Sequence, residues 1–135
     1  MRCARLLTRL AERIGHPVDR VHGHDRVVEV HPAAALTVWD LPTTGYKGAA
    51  GTGARAAMLD TIRARAGLTW TPEVETRLVD DDNTFDALIC ALVARTVSLG
   101  LTHLPAGRQE HLAATEGWLH VPHPRTLEEL TAPRP

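Results

Sequence analysis

The amino-acid sequence predicts an α/β protein in which helices flank a small mixed sheet. Apolar side chains recur three and four positions apart between Phe85 and Gly100, the spacing of a helix with one buried face. The segment Arg26–His31 instead carries three β-branched valines before Pro32, a composition typical of a strand. Apolar residues on both of its faces indicate an interior strand in a mixed or parallel sheet. A second, shorter strand is expected at Trp118–Val121.

Helices are expected in five further segments, which show amphipathic spacing or helix-terminal residues. A glycine commonly ends a helix, as Gly67 does after Ala66, and a proline suits the first helical turn, as Pro72 does. In the helix that ends at Ala66, the arginines are expected to face mainly outward, Arg55 among them. The expected ranges are Arg2–Gly15, Ala33–Asp40, Thr52–Ala66, Pro72–Val79 and Pro105–Thr115.

Length and composition favour one globular domain, placed at residues 1–122, followed by a Pro-rich C-terminal tail at residues 123–135. The net charge of −1 excludes a bulk attraction to nucleic acid, but not an enzyme with a local site. Neither Cys3 nor Cys90 has the spacing of a metal ligand, and no stretch is long and apolar enough for a signal peptide or a membrane span. The cytoplasm is therefore the expected location.

Four carboxylates stand at the start of the long helix: Asp80, Asp81, Asp82 and Asp86. Acidic residues suit this position because the free N–H groups and the helix dipole are positive there. Asn83 as the N-cap residue, with Asp86 as its partner, would explain Asp82 and Asp86 without any chemistry. The alternative is that Asp86 points into a metal site, and local sequence leaves both interpretations open.

Two further residues have both a structural and a functional interpretation. Glu29 lies within the valine-rich strand, where a carboxylate is costly unless it is paired, hydrogen-bonded or bound to a metal. A salt bridge to an arginine and a functional site are equal alternatives. Lys47, beside Tyr46, lies in the glycine-rich loop Pro42–Gly53, which lacks the phosphate-loop motif. It is either an exposed lysine or a group that reaches a phosphate.

Four short motifs occur in order along residues 27–122. They are Val28-Glu29-Val30-His31-Pro32, Tyr46-Lys47, Asp81-Asp82…Asp86-Ala87-Leu88…Cys90-Ala91 and Glu116-Gly117-Trp118…Pro122. As an ordered set they resemble the C-terminal part of the domain-of-unknown-function 429 family, which are predicted nucleases with an RNase H-like fold. The resemblance implies a partial RNase H-like fold and a metal-dependent hydrolase that acts on phosphodiesters, with Mg²⁺ or Mn²⁺ as its cofactor.

The resemblance also implies site residues. RNase H-like sites gather carboxylates around one or two divalent ions, which activate water and stabilise the departing oxygen. Glu29 and Asp86 are the expected catalytic residues, and together with Asp82 they are the expected metal ligands. Asp81 is a further candidate ligand. Lys47 is the expected substrate-binding residue, and nucleic acid is the expected substrate class.

The chain departs from the family pattern at its start. RNase H-like domains open with strands that carry an essential Asp, and this sequence begins with an amphipathic helix, so the N-terminal strands are missing. The chain is then truncated, complemented by another chain, or without catalysis. The alternative function is a noncatalytic remnant or interaction module that assembles with another chain or with a second copy. No membrane partner is expected.

Eight histidines raise the question of a zinc site. The nearest groupings are His22-x-His24 with His31, and His120-x-x-His123. Neither matches a Cys/His finger or a His-Glu-x-x-His motif. The sequence therefore favours histidines that lie in surface loops.

Overall fold

The computed structural model describes the backbone of residues 2–24 and 27–131, and the side chains from Ala4 onward within those ranges. The described chain is mainly helical. Its α-helices are α1 (Arg2–Ile14), α2 (Pro32–Val38), α3 (Thr52–Ala66), α4 (Pro72–Asp80), α5 (Asp82–Ser98) and α6 (Arg108–Glu116). Short 3₁₀ turns lie at Ala49–Gly51 and Thr126–Glu129. No helix within the described ranges combines the length and the apolar composition needed to cross a bilayer.

The predicted mixed sheet is wrong. In the described residues, extended pairing is limited to two isolated bridges, a parallel one between Glu29 and Leu119 and an antiparallel one between Thr102 and Pro122. The valines around Glu29 have a high β-propensity, but that propensity reflects packing on a pleated surface beside neighbouring strands. One bridge, between Glu29 and Leu119, joins the two expected strands, so neither strand forms in the described part of these segments; Arg26, the first residue of the longer one, lies outside it. The partial RNase H-like fold that rested on this sheet is therefore not what these residues adopt.

The predicted helices are confirmed, with small shifts at their ends. Helix α3 has the predicted bounds, and Gly67 follows it at φ 62°, the left-handed conformation that suits glycine. Helix α4 begins with Pro72 in its first turn, and the Thr71 side chain accepts a hydrogen bond from the Val74 N–H. Helix α6 begins later than predicted, at Arg108.

The N-terminus of α5 is capped by a different residue than predicted. Asp81 is the N-cap, and its carboxylate accepts hydrogen bonds from the N–H of Asn83 at 3.2 Å and of Thr84 at 3.0 Å. The capping box that paired Asn83 with Asp86 is wrong, because the helix already begins at Asp82. Asp86 lies one turn inside the helix, so capping does not explain its position.

The chain divides into two compact units. The first comprises Met1–Glu29 and Leu104–Leu119, and the second comprises Val30–His103 and His120–Pro135. The second unit contains a hydrophobic core whose fully buried side chains include Leu36, Trp39, Ile62, Phe85, Ile89, Val93 and Leu127. The Trp39 indole N–H donates to the Thr126 hydroxyl at 2.9 Å within this core. Leu127 and Leu130, which lie in the predicted tail, are both buried there.

Candidate functional site

A loop of the second unit lies against the first turns of α5, and the contacts between them define what we call the Lys47–Asp86 site. It consists of Tyr46, Lys47 and Gly48 on the loop and of Asp82 and Asp86 on the helix. The Lys47 ammonium forms a salt bridge with Asp86 Oδ2, and the Tyr46 hydroxyl donates to Asp86 Oδ1 at 3.2 Å. The Gly48 N–H donates to Asp82 Oδ2 at 2.9 Å. The loop thus binds both carboxylates.

The two aspartates present their carboxylates on the same face of α5. Residues four positions apart on a helix have Cβ atoms about 5–6 Å from each other. The Gly48 hydrogen bond engages Oδ2 of Asp82, so an ion that binds Asp82 could take Oδ1. The structure therefore brings together Lys47, Asp82 and Asp86, which are three of the residues that the sequence analysis selected.

Arg55 holds the loop in place, a role that the sequence analysis missed. Its side chain is 0% exposed, although it was expected to face outward. The guanidinium donates to the backbone carbonyls of Tyr46, of Gly48 at 2.9 Å and of Val79 at 2.6 Å, and more weakly to that of Asp80 at 3.4 Å. A buried charge is tolerated only when its donors are satisfied, and a planar guanidinium offers five of them. Arg55 thereby ties the loop to the end of α4.

Gly51 allows this close approach. A Cβ atom at position 51 would lie 2.3 Å from the carbonyl carbon of Tyr46 and 2.4 Å from its oxygen. It would also lie 2.9 Å from the Arg55 guanidinium. Because two of these contacts are to backbone, no side-chain rotation would relieve them. The loop conformation therefore depends on a glycine here, which a sequence pattern alone does not reveal.

The charges at the site are stabilised by one another. The hydrogen bond to Asp86 raises the pKa of the Lys47 ammonium, which stays protonated at neutral pH. Burial, together with the nearby Asp86 charge, raises the pKa of the Tyr46 phenol, which stays a neutral donor. The Lys47 ammonium also lies 5.0 Å from the centre of the Tyr46 ring, within the range of a cation–π contact. Neither residue is a base at neutral pH.

The donor set at the site fits a hard divalent cation. Magnesium is usually held by one or two carboxylates together with waters and substrate phosphates. Asp82 and Asp86 supply two such carboxylates one turn apart. The side chains of Asp86 and Lys47 are 25% and 51% exposed, so an ion and a phosphate can both reach them. An ion would compete with Lys47 for Asp86.

Glu29 has a different partner. It belongs to the first unit, whereas the Lys47–Asp86 site belongs to the second. Its carboxylate forms a salt bridge with the Arg20 guanidinium, which also donates to the backbone carbonyl of Glu116 at 2.8 Å. A Cβ atom at Gly117 would lie 2.7 Å from Glu29 Oε1 and 2.6 Å from Arg20 Nη2. Of the two interpretations of Glu29, the structure contains the salt bridge.

A comparison with known protein families shows which family the chain belongs to. The family model described as "Protein of unknown function (DUF429)" matches residues 1–110, which include α1 to α5 and the whole Lys47–Asp86 site. The chain belongs to this family. The resemblance found in the sequence motifs is thereby confirmed. Comparisons with curated proteins and with solved structures gave no match.

Proposed function

We propose that this DUF429 protein is a metal-dependent nuclease that hydrolyses phosphodiesters at the Lys47–Asp86 site. One observation supports this most directly: a loop lysine and two helix carboxylates, from segments far apart in sequence, meet on one accessible surface. Carboxylates can hold the divalent ions that assist phosphodiester hydrolysis, and a lysine can bind the phosphate. The family match includes the segments that carry these residues.

Each residue has a role in this proposal. Asp82 and Asp86 would hold Mg²⁺ or Mn²⁺, which supplies an activated water and stabilises developing negative charge when it is bound. Lys47 binds a phosphate oxygen as a compact positive charge. Tyr46 orients the Asp86 carboxylate through its hydroxyl, and Arg55 fixes the loop that carries both. The Gly48 N–H holds one oxygen of Asp82, which leaves the other for the ion.

Glu29 remains a proposed catalytic residue and metal ligand. In that role an ion would compete with the Arg20 guanidinium at Oε1 of Glu29 or would take the other carboxylate oxygen. Substitution by glutamine tests this directly. We expect Glu29→Gln to abolish hydrolysis if Glu29 binds the ion, and to change only stability if it serves the salt bridge alone.

The proposal is tested by metal titration and hydrolysis assays on the whole chain. Isothermal titration with Mg²⁺ and Mn²⁺ should give saturable binding that Asp82→Asn and Asp86→Asn each weaken at least about tenfold. Asp60→Asn is the matched control, because Asp60 lies on α3 with a side chain that is 73% exposed. Hydrolysis of bis(p-nitrophenyl) phosphate, single-stranded DNA and RNA should fall in Asp82→Asn and Asp86→Asn and should persist in Asp60→Asn. Binding that is absent, or that all three variants share, would contradict the proposal.

A second candidate function is a noncatalytic interaction module. It is favoured by the observation that both expected catalytic carboxylates already have cationic partners, Glu29 with Arg20 and Asp86 with Lys47. Such a module would assemble with a second copy or with a complementing chain and would cleave no nucleic acid. Sedimentation over a range of concentrations, run beside the metal titration, separates the two functions. Association without metal binding favours the module, and metal-dependent hydrolysis excludes it.

A further inference from the structure

The carboxylate of Asp19 organises a short loop in the first unit. Asp19 Oδ1 accepts hydrogen bonds from the N–H groups of Val21 at 2.9 Å and of His22 at 3.0 Å. Asp19 Oδ2 accepts one from the N–H of His24 at 3.0 Å. The loop backbone is thus folded around a single carboxylate, and the backbone N–H groups of both His22 and His24 bind to it.

The Nδ1 atoms of both imidazoles lie near the Asp19 carboxylate. Nδ1 of His22 lies 3.7 Å from Asp19 Oδ1, and Nδ1 of His24 lies 3.4 Å from Asp19 Oδ2. Hydrogen bonds from nitrogen to oxygen span about 2.7–3.2 Å, so both separations are too long for one. Two ligands that lie 2.0–2.1 Å from a tetrahedral ion are about 3.3 Å from each other. Both separations suit an ion pair with a protonated imidazole, and both are also near the spacing of two ligands around a shared ion.

Ligand atoms of all three residues lie near one another. One ligand atom from each of Asp19, His22 and His24 lies within 4.8 Å of the other two. The imidazole rings are stacked, with centroids 5.3 Å apart and planes inclined by 17°. The His22 and His24 side chains are 54% and 80% exposed, so an ion can enter and small ring rotations can close the ligand shell. No other such triad of His, Cys, Asp or Glu occurs among the described residues.

We propose that Asp19, His22 and His24 form a binding site for a transition-metal dication of the Zn²⁺ class. Two imidazoles and one carboxylate suit Zn²⁺, Co²⁺ or Ni²⁺, whereas Mg²⁺ prefers oxygen ligands alone. Three protein ligands leave a fourth position for water or for another ligand. The sequence pattern groups His22 and His24 with His31 as surface histidines. Asp19, which lies three positions before His22, supplies the carboxylate and belongs to no motif in the sequence.

This site is independent of the proposed nuclease function. It lies in the first unit, shares no residue with the Lys47–Asp86 site and selects a different class of ion. Asp82→Asn and Asp86→Asn should therefore leave its affinity for Zn²⁺ unchanged. Failure of either proposal leaves the other standing.

The test is a titration of the whole chain with Zn²⁺, in which calorimetry measures the affinity and NMR of the histidine rings identifies the ligands. We expect one tight site per chain, which His22→Ala and His24→Ala each weaken at least about tenfold. Asp19→Asn should also weaken binding, although the asparagine can still accept some of the loop hydrogen bonds. His111→Ala is the matched control, because His111 is an exposed histidine on α6. Far-UV circular dichroism shows whether each variant keeps its helices.

The outcomes are distinct. Zn²⁺-dependent shifts of the His22 and His24 ring protons, with binding kept in His111→Ala, support the site. Tetrahedral Co²⁺ should then give a strong visible absorption that His24→Ala removes. The proposal is overturned if Zn²⁺ does not saturate, if the control loses as much affinity as the ligand variants, or if the shifts fall on other histidines.

Discussion

Replacing the fully buried Arg55 side chain with alanine would remove the donor from four backbone carbonyls, of which that of Tyr46 is buried and the other three are partly buried. Each hydrogen bond from a charged donor stabilises by about 1.5–3 kcal/mol, but holding the guanidinium out of water offsets much of that gain. Removal of one partner from a buried charged network costs about 3–5 kcal/mol, which is a large part of the stability of a chain this size. We expect Arg55→Ala to lower the free energy of unfolding by this amount.

Urea denaturation followed by circular dichroism measures this loss. Arg77→Ala is the matched control, since Arg77 is exposed on α4 and should change stability by no more than about 0.5 kcal/mol. Arg55→Lys keeps the charge but not the planar fork, so it should fall between the two. If Arg55→Ala proved no more damaging than Arg77→Ala, the claim that Arg55 anchors the Lys47 loop would be refuted.

Two further predictions concern the same region. Gly51→Ala should destabilise the protein by about 3 kcal/mol, because the new methyl group would overlap the Tyr46 backbone. Gly53→Ala has open space around the new methyl group and should stabilise α3 by up to about 1 kcal/mol. Equal urea midpoints for the two variants would contradict this. Burial, and then the charge of Asp86, raises the pKa of the Cys90 thiol. In a Cys3→Ser background, Asp86→Asn should therefore increase the rate at which Ellman's reagent labels the Cys90 thiol about twofold. Asp60→Asn is the control and should leave this rate unchanged. If Asp86→Asn also left the rate unchanged, the charge of Asp86 would not act on Cys90.

Helices were the part of this fold that the sequence predicted well. Their signals are local: apolar spacing along the chain, Gly67 after α3, and Pro72 at the start of α4. Strands failed because a strand needs a neighbour, and among the described residues of this segment Glu29 alone forms a bridge, to Leu119. Composition reports what a segment prefers, and it does not report whether a partner strand exists.

The candidate site was predicted in part. Lys47, Asp82 and Asp86 were selected from an ordered set of motifs, and the structure places them together. Arg55 was missed because a helical pattern of alanines gives no sign that a guanidinium will turn inward toward loop carbonyls. Gly51 was missed because the need for a glycine arises from the close approach of the Tyr46 backbone, which depends on how the loop folds and leaves no pattern in the sequence.

The start of α5 assigns separate tasks to neighbouring aspartates. Asp81 secures the helix end through the N–H groups of Asn83 and Thr84, and Asp86 takes no part in that end. The contacts that hold the start of the helix are therefore separate from the contacts that Asp86 makes on the adjacent surface. A change of partner at Asp86 would therefore leave the hydrogen bonds that cap the first turn intact.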